Sequence, residues 1–226
     1  MPQPRSVLVT DFDGTITAVD FFRLVVERLL TPGDMVPWEQ YRAGTITHFT
    51  AVRDIFRRIR APESEALALL KDMRPDPDLP RYVEALRDAG WHIVVASAGC
   101  GWYIDHILRD MGVELEVHAS PGVYLEGGPL EMEAPVDSPF FSAETGIDKA
   151  AIVRFYLRGG GRVIYAGDGF PDLAPSLLLP PAHRFARSDL AETLRKRSEL
   201  FNPFAVWSDI ARALLAEGPV RPGGAS

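Results

Sequence analysis

Two aspartates separated by one residue, Asp11 and Asp13, stand in the string Asp11-Phe12-Asp13-Gly14-Thr15. One carboxylate of such a pair can attack phosphorus as a nucleophile, while the other moves the proton of the leaving or attacking oxygen. Gly14 lets backbone N–H groups come close to a phosphate. The same spacing also fits an acidic turn after a strand, or the Asp-x-Asp metal motif of many unrelated enzymes. Ser97-Ala98-Gly99 offers a hydroxyl and backbone N–H groups near a helix start, a setting suited to a phosphoryl oxygen. Taken alone it reads as an ordinary strand-to-helix turn. Lys149, early in a helix, can neutralise both a phosphoryl group and its nucleophile, although a lone helical lysine is commonly a solvated surface residue. In Gly167-Asp168-Gly169-Phe170-Pro171-Asp172, two carboxylates beside glycines suit Mg²⁺, a hard ion that prefers oxygen ligands and keeps several waters. Asp168 would bind the ion directly and Asp172 from behind or through water. An acidic loop without a metal is the plainer alternative.

The elements that must position these residues follow from hydrophobic patterning. Ser6 to Thr10 is a short β-branched run suited to a buried parallel strand, and it ends at Asp11. From Asp20 to about Asp72 the pattern is helical, with Phe21, Phe22, Val25, Val26, Leu29 and Leu30 forming one apolar face and Thr31-Pro32-Gly33 a break. Arg74 to Pro80 is a stiff return linker. Strands and helices then alternate. A helix over Tyr82 to Asp88 precedes a strand over Trp91 to Ala96, and a helix over Trp102 to Met111 precedes a strand near Val113 to His118. Pro121 to Thr145, rich in glycine and proline, reads as an irregular hairpin. A helix over Ile147 to Leu157 leads to a strand over Arg162 to Ala166, a last short strand at Phe185, and helices near Asp189 to Arg197 and Val206 to Leu215. Alternation of this kind implies an α/β fold, a Rossmann-like parallel sheet flanked by helices. Such sheets bind ligands at the carboxyl ends of their strands, which gathers Asp11, Ser97 and Asp168 on one rim. The expected organisation is a catalytic core over residues 1–15 and 81–217, a helical cap over 16–80 inserted after the first strand, and a disordered tail over 218–226.

Composition narrows the class of partner. A formal charge of −7 over 226 residues argues against nucleic acid, whose phosphates repel an acidic surface. A local positive group still admits a small phosphorylated metabolite. No apolar run approaches the roughly 20 residues needed to span a bilayer, and Met1 to Arg5 lacks an apolar signal stretch. With Cys100 as the only cysteine, no intramolecular disulfide can form, and a reducing, cytoplasmic setting is expected. Either a monomer or a homodimer fits.

The four elements together, in this order and each at a strand end or the following helix start, resemble the haloacid dehalogenase superfamily in its phosphatase branch. That resemblance implies Asp11 as nucleophile and Asp13 as general acid and base. It implies Mg²⁺ held by Asp11, the backbone carbonyl of Asp13 and Asp168, with Asp172 in support. Ser97 and Lys149 would bind the phosphoryl group, with Gly14, Ala98 and Gly99 beside it. The insertion matches the helical cap of the phosphoserine phosphatase-like branch, in which an acidic residue nine positions after the nucleophile faces substrate; Asp20 holds that place. Arg53 falls near the cap arginine of phosphoserine phosphatases. Phe170-Pro171 departs from the Ala-Asn those enzymes usually carry. The strings Asp11 to Thr17, His118-Ala-Ser120, Phe185-Ala-Arg187 and Leu200 to Phe204 look similar to the methionine-salvage phosphatases of 2-hydroxy-3-keto-5-methylthiopentenyl-1-phosphate. Relatives of that group include phosphocholine and phosphoethanolamine phosphatases. A phosphomutase would share the same core, and a receiver-like phosphate-binding module would share the acidic residues, hydroxyl and lysine but not the helical insertion. His118 has no second histidine or cysteine clustered with it, which reads as a structural hydrogen-bonder rather than a zinc ligand.

Overall fold

In a computed structural model describing residues 4–217, the strands are β1 (Ser6–Thr10), β2 (Trp91–Cys100), β3 (Glu116–Ser120), β4 (Gly122–Tyr124), β5 (Leu130–Met132), β6 (Phe141–Ser142), β7 (Gly146–Ile147), β8 (Arg162–Gly167), β9 (Arg184–Ala186) and β10 (Asn202–Pro203). Six of them form one parallel sheet in the order β10-β9-β8-β1-β2-β3. Every residue of β1 is buried, as expected of a central strand covered on both faces. Side chains alternate across it. Val7 and Val9 join Val94, Ile152, Val153 and Tyr165 in one apolar cluster, while Leu8 joins Ile93, Ile164, Leu86 and Ile210 in the other.

The helices are α1 (Phe21–Arg28), α2 (Val36–Arg42), α3 (His48–Phe56), α4 (Glu63–Asp72), α5 (Leu79–Asp88), α6 (Gly101–Asp110), α7 (Lys149–Arg158), α8 (Leu173–Leu177), α9 (Ser188–Lys196) and α10 (Trp207–Ala216). The first four make the insertion after β1. Its two ends meet where Thr17 bridges Pro75 and the Asp76 N–H donates to the Ile16 carbonyl at 3.0 Å. The insertion has no separate core: Phe21, Phe56, Ile59 and Met73 belong to the same buried cluster as Leu8 and Ile93. Hairpin β4–β5 braces it from the core side. The Tyr124 hydroxyl donates to the Ala61 carbonyl at 2.8 Å, and Arg57 pairs with Glu131 at 2.7 Å.

Several sequence-based boundaries shift. The return linker is shorter than expected, because Leu79-Pro80 form the first turn of α5, where a proline has no helical hydrogen bond to lose. Strand β2 does not stop at Ala96. It runs through Ser97-Ala98-Gly99 to Cys100, with a register shift against β3 between Ala96 and Cys100. The glycine-rich stretch is two hairpins, β4–β5 and β6–β7, rather than one. A turn at Phe170–Asp172, helix α8 and strand β10 were not expected; Pro171, Pro175 and Pro203 hide them from a periodicity reading. The tail expected over 218–226 lies outside the described residues.

Candidate active site

The register of the central strands assembles the site. Thr10 lies beside Val95 on β2 and Ala166 on β8. The residues just beyond these three therefore emerge together, and they are Asp11, the Ser97 segment and Asp168. Strand order reverses at β1, the position at which an open α/β sheet binds its ligand. A cleft of ≈ 240 Å³ opens there, lined by Asp11, Asp13, Ser97, Ala98, Gly99, Lys149 and Asp168 from the core, and by Asp20, Phe22, Trp38, His48, Val52 and Phe56 from the helical insertion.

Asp11 sits at the floor of the cleft. Its backbone N–H continues the ladder to the Ala166 carbonyl at 2.8 Å. Its Oδ1 accepts from the Phe12 N–H at 2.7 Å and lies 2.8 Å from Lys149 Nζ. Among the described residues the other carboxylate oxygen takes no hydrogen bond, so it is free to react. Burial raises the Asp11 carboxyl well above its ordinary value, and Asp172 adds to this; Lys149 opposes both.

Lys149 is the first residue of α7, whose N-cap Asp148 accepts from the Ala151 N–H at 2.8 Å. That cap fixes the start of the helix and so the direction of the lysine. The ammonium is 4 % exposed and lies between Asp11 and Asp172, 2.7 Å from the latter. Burial alone would favour neutral lysine, but the two carboxylates outweigh it and hold the side chain charged. Two of its three protons are engaged, which leaves one for a ligand oxygen.

Asp13 is held at both oxygens. Oδ1 accepts from the Phe21 N–H at 3.0 Å, and Oδ2 from the Tyr103 hydroxyl at 2.5 Å. Burial, then the charge of Asp20, pushes its carboxyl up to about 8, which favours the protonated acid. Gly99 makes the Tyr103 contact possible: a Cβ there would lie 1.8 Å from the tyrosine oxygen. Ser97, 1 % exposed, accepts from the Gly99 N–H at 3.0 Å and keeps its own proton for donation.

The loop after β8 is organised by Asp172, which is fully buried. Its Oδ2 accepts from the N–H groups of Asp168 and Gly169 at 3.0 and 2.9 Å. Its Oδ1 accepts from the Tyr165 hydroxyl at 2.5 Å and from Lys149. Burial would raise the carboxyl, yet Lys149 and these donors overcome it and hold it low. Asp172 thus lies behind the cleft wall, fixing both the lysine and the backbone that carries Asp168. The Asp168 carboxyl is raised to about 7 by burial and by the negative charge of Asp172.

Asp11, Asp168 and Asp172 place carboxylate oxygens within 4.8 Å of one another, a group that can hold a metal ion. The arrangement fits a hard divalent cation. The donors are all oxygens, one lysine faces several carboxylates, and the Asp168 carboxylate accepts no hydrogen bond from the described residues. The glycine at position 14 keeps the space open. At φ +66°, a Cβ on Gly14 would meet an Asp168 carboxylate oxygen at 2.2 Å.

Asp20 caps α1 through the Arg23 N–H at 3.3 Å and faces the cleft from the insertion. Arg53, the other insertion residue expected at the substrate, does not line it. Its guanidinium pairs with Asp54 at 2.9 Å and lies over the Phe49 ring. His118 pairs with Glu116 at 2.8 Å, outside the cleft. Tyr103, His48 and Pro171 are site residues that the sequence reading missed. No local motif marks Tyr103, which meets Asp13 only through tertiary packing.

Comparison with known proteins places this arrangement. Residues 8–174 match the haloacid dehalogenase-like hydrolase family. The chain is 25 % identical over 212 residues to a 2-hydroxy-3-keto-5-methylthiopentenyl-1-phosphate phosphatase of Microcystis aeruginosa, covering 92 % of this chain and 97 % of that protein. It is 28 % identical to a probable phosphatase phospho1 of Danio rerio, over 83 % of this chain and 75 % of the other. In three dimensions it superposes with a TM-score of 0.63, at 14 % identity, on phosphoserine phosphatase captured as a phospho-aspartyl intermediate analogue, covering 93 % and 99 % of the two chains. With the family match spanning most of its length, the chain belongs to the haloacid dehalogenase-like hydrolases.

Proposed function

We propose that this hydrolase cleaves a small phosphate monoester in two steps, with Asp11 as the nucleophile. The observation that carries the reading is the Asp11 carboxylate itself. Asp11 lines the cleft; one oxygen is held by the Phe12 N–H and Lys149, and the other takes no hydrogen bond from the described residues.

In the first step Asp11 attacks phosphorus and the ester P–O bond breaks. Asp13, favoured as the protonated acid by its burial, gives its proton to the departing alcohol oxygen. In the second step Asp13, now a carboxylate, takes a proton from water. That water attacks the aspartyl phosphate, breaking the P–O bond to Asp11 and releasing inorganic phosphate. The third proton of Lys149 and the hydroxyl of Ser97 bind phosphoryl oxygens, with the backbone of Gly14, Ala98 and Gly99 alongside, and offset charge that builds during transfer. Asp11, Asp168 and the backbone carbonyl of Asp13 would hold Mg²⁺, with Asp172 fixing the loop behind. Bound there, the ion supplies positive charge that lessens the repulsion between carboxylate and phosphate. Helices α1 to α4, within a cap over residues 16–80, cover the cleft and exclude bulk water.

The methionine-salvage enol phosphate is the leading substrate, supported by the resemblance of Asp11 to Thr17 and by the name of the Microcystis relative. Phosphoserine fits less well, because among the described residues Lys149 is the only lysine or arginine lining the cleft, and none of them supplies a second such cation for an amino-acid carboxylate. The test is phosphate release from the enol phosphate, phosphoserine, phosphocholine and sugar phosphates, with Mg²⁺ and with chelator. Turnover lost in chelator and in Asp11→Asn supports the proposal. Absence of release from every ester by folded, Mg²⁺-loaded protein contradicts it.

A further inference from the structure

Phe170 is a large apolar residue that folding leaves in solvent: 72 % exposed, it stands between the two aspartates of the β8 loop. Beside the cleft its ring lines a second hollow of ≈ 280 Å³, together with Trp38, Tyr41, His48 and Pro171. Trp38, His48 and Pro171 line both spaces, so the hollow adjoins the reaction centre. Its walls join the helical insertion to the loop that carries Asp168.

The chemistry of these walls is largely apolar. Among the described residues no lysine or arginine lines the hollow. Its one carboxylate among the described residues belongs to Glu144, one oxygen of which accepts from the backbone N–H of His48 at 3.4 Å while its carbonyl accepts from that of Phe49 at 2.8 Å. Glu144 is thereby tied to the start of α3. Trp38 and Tyr41 meet the His48 ring edge-on, at 70° and 79°, so the three rings pack on one another. His48 Nδ1 is buried without a hydrogen-bond partner among the described residues. Burial and the charge of Lys149 hold the imidazole toward its neutral form, able to meet a polar but uncharged group.

We propose that this hollow is a leaving-group subsite: the substrate is a phosphate monoester whose uncharged, largely apolar leaving group passes between Trp38 and Pro171 and ends against Phe170. This deepens the phosphatase reading and rests on it for the reaction. It also gives Phe170-Pro171 a role: the loop that carries Asp168 reads the far end of the substrate.

The experiment uses two series. Binding of n-alkylphosphonates of increasing length, whose C–P bond this chemistry does not cleave, is measured by calorimetry. Hydrolysis of the matching n-alkyl phosphates gives kcat/KM. The expected result is a gain of about fourfold per buried methylene in both series, with the later part of the gain lost in Phe170→Ala and restored in Phe170→Leu. The exposure of Phe170 means that the alanine variant folds, which a thermal melt checks. Uncharged 3,3-dimethylbutyl phosphate should be preferred to phosphocholine, its cationic isostere. A flat wild-type series, an unchanged slope in Phe170→Ala, or a preference for phosphocholine each overturns the inference. Phosphonate binding that rises with length without hydrolysis of any ester would leave the subsite standing and remove the phosphatase reading. Hydrolysis with no dependence on length would do the reverse.

Discussion

Replacing Lys149 by methionine isolates the electrostatics that hold the site together. The ammonium lies 2.8 Å from Asp11 and 2.7 Å from Asp172, with all three side chains almost out of solvent. Solvent screening, which reduces surface ion pairs to about 0–1 kcal/mol, is weak here. Removing one member of a buried pair costs about 3–5 kcal/mol, because a buried charge is left uncompensated. For a chain of this length that corresponds to a fall in Tm of roughly 6–20 °C. The loss must depend on pH. Without the lysine, Asp11, already above the ordinary aspartate value of about 4, rises further, and Asp172 loses the charge that holds it low. A carboxyl raised by folding is harmless below its unfolded value and destabilises as pH climbs through the interval up to its folded one. The deficit of Lys149→Met is therefore smaller at pH 5 than at pH 8. Adding Asp172→Asn removes the partner charge and should recover part of the loss, giving a coupling that a double-mutant cycle reads. Calorimetric melts in chelator at both pH values provide the assay. A loss under about 1 kcal/mol, equal at both pH values, would mean that Lys149 is a solvated surface lysine and that the charge network described here is wrong.

Other perturbations follow from individual contacts. In chelator the wild-type protein should itself lose stability as pH rises from about 4 through the raised value of about 7 for Asp168, and Mg²⁺ should diminish that loss; melts across pH with and without the ion read both. Gly14→Ala forces the Asp168 carboxylate aside, since the new Cβ would lie 2.2 Å from it; the Mg²⁺ concentration for half-maximal activity should rise at least about tenfold, equivalent to about 1.4 kcal/mol. Tyr103→Phe removes a hydrogen bond that lowers the Asp13 value, so the limb of the pH–rate profile governed by Asp13 should move upward, with the fold intact. Arg53→Ala should change kcat/KM for phosphoserine and for alkyl phosphates by less than about threefold, under 1 kcal/mol, because the guanidinium faces Asp54 rather than the cleft; a loss specific to phosphoserine would restore it as a substrate ligand.

The parts of this molecule legible in its sequence are those fixed by local chemistry. Ser6 to Thr10 reads as a buried strand because its β-branched residues have no polar alternation, and the structure gives the same bounds. Asp11, Ser97 and Asp168 are found because parallel strands deliver their carboxyl ends to one rim. What escapes is set by contacts between distant segments. Tyr103 reaches Asp13 across 90 residues of chain. Ser97 looks like the end of a strand because serine and glycine weaken the pattern, yet pairing with β3 resumes at Cys100 opposite Ser120. Phe170-Pro171 reads as a mere departure from a family string until folding brings it to one hollow with Trp38 and Tyr41. Arg53 is the converse: its resemblance in position to the cap arginine of phosphoserine phosphatases suggests a substrate ligand, but its neighbour Asp54 captures the guanidinium.

The central claim, that Asp11 becomes phosphorylated during turnover, has a direct test. Protein mixed with a hydrolysed ester in Mg²⁺ is quenched in acid within a turnover, digested and analysed by mass spectrometry. The account predicts one phosphoryl group on the peptide containing Asp11, removed by hydroxylamine as an acyl phosphate is, and absent in Asp11→Asn. Full turnover with no label on that peptide, or undiminished turnover by Asp11→Asn, would contradict it.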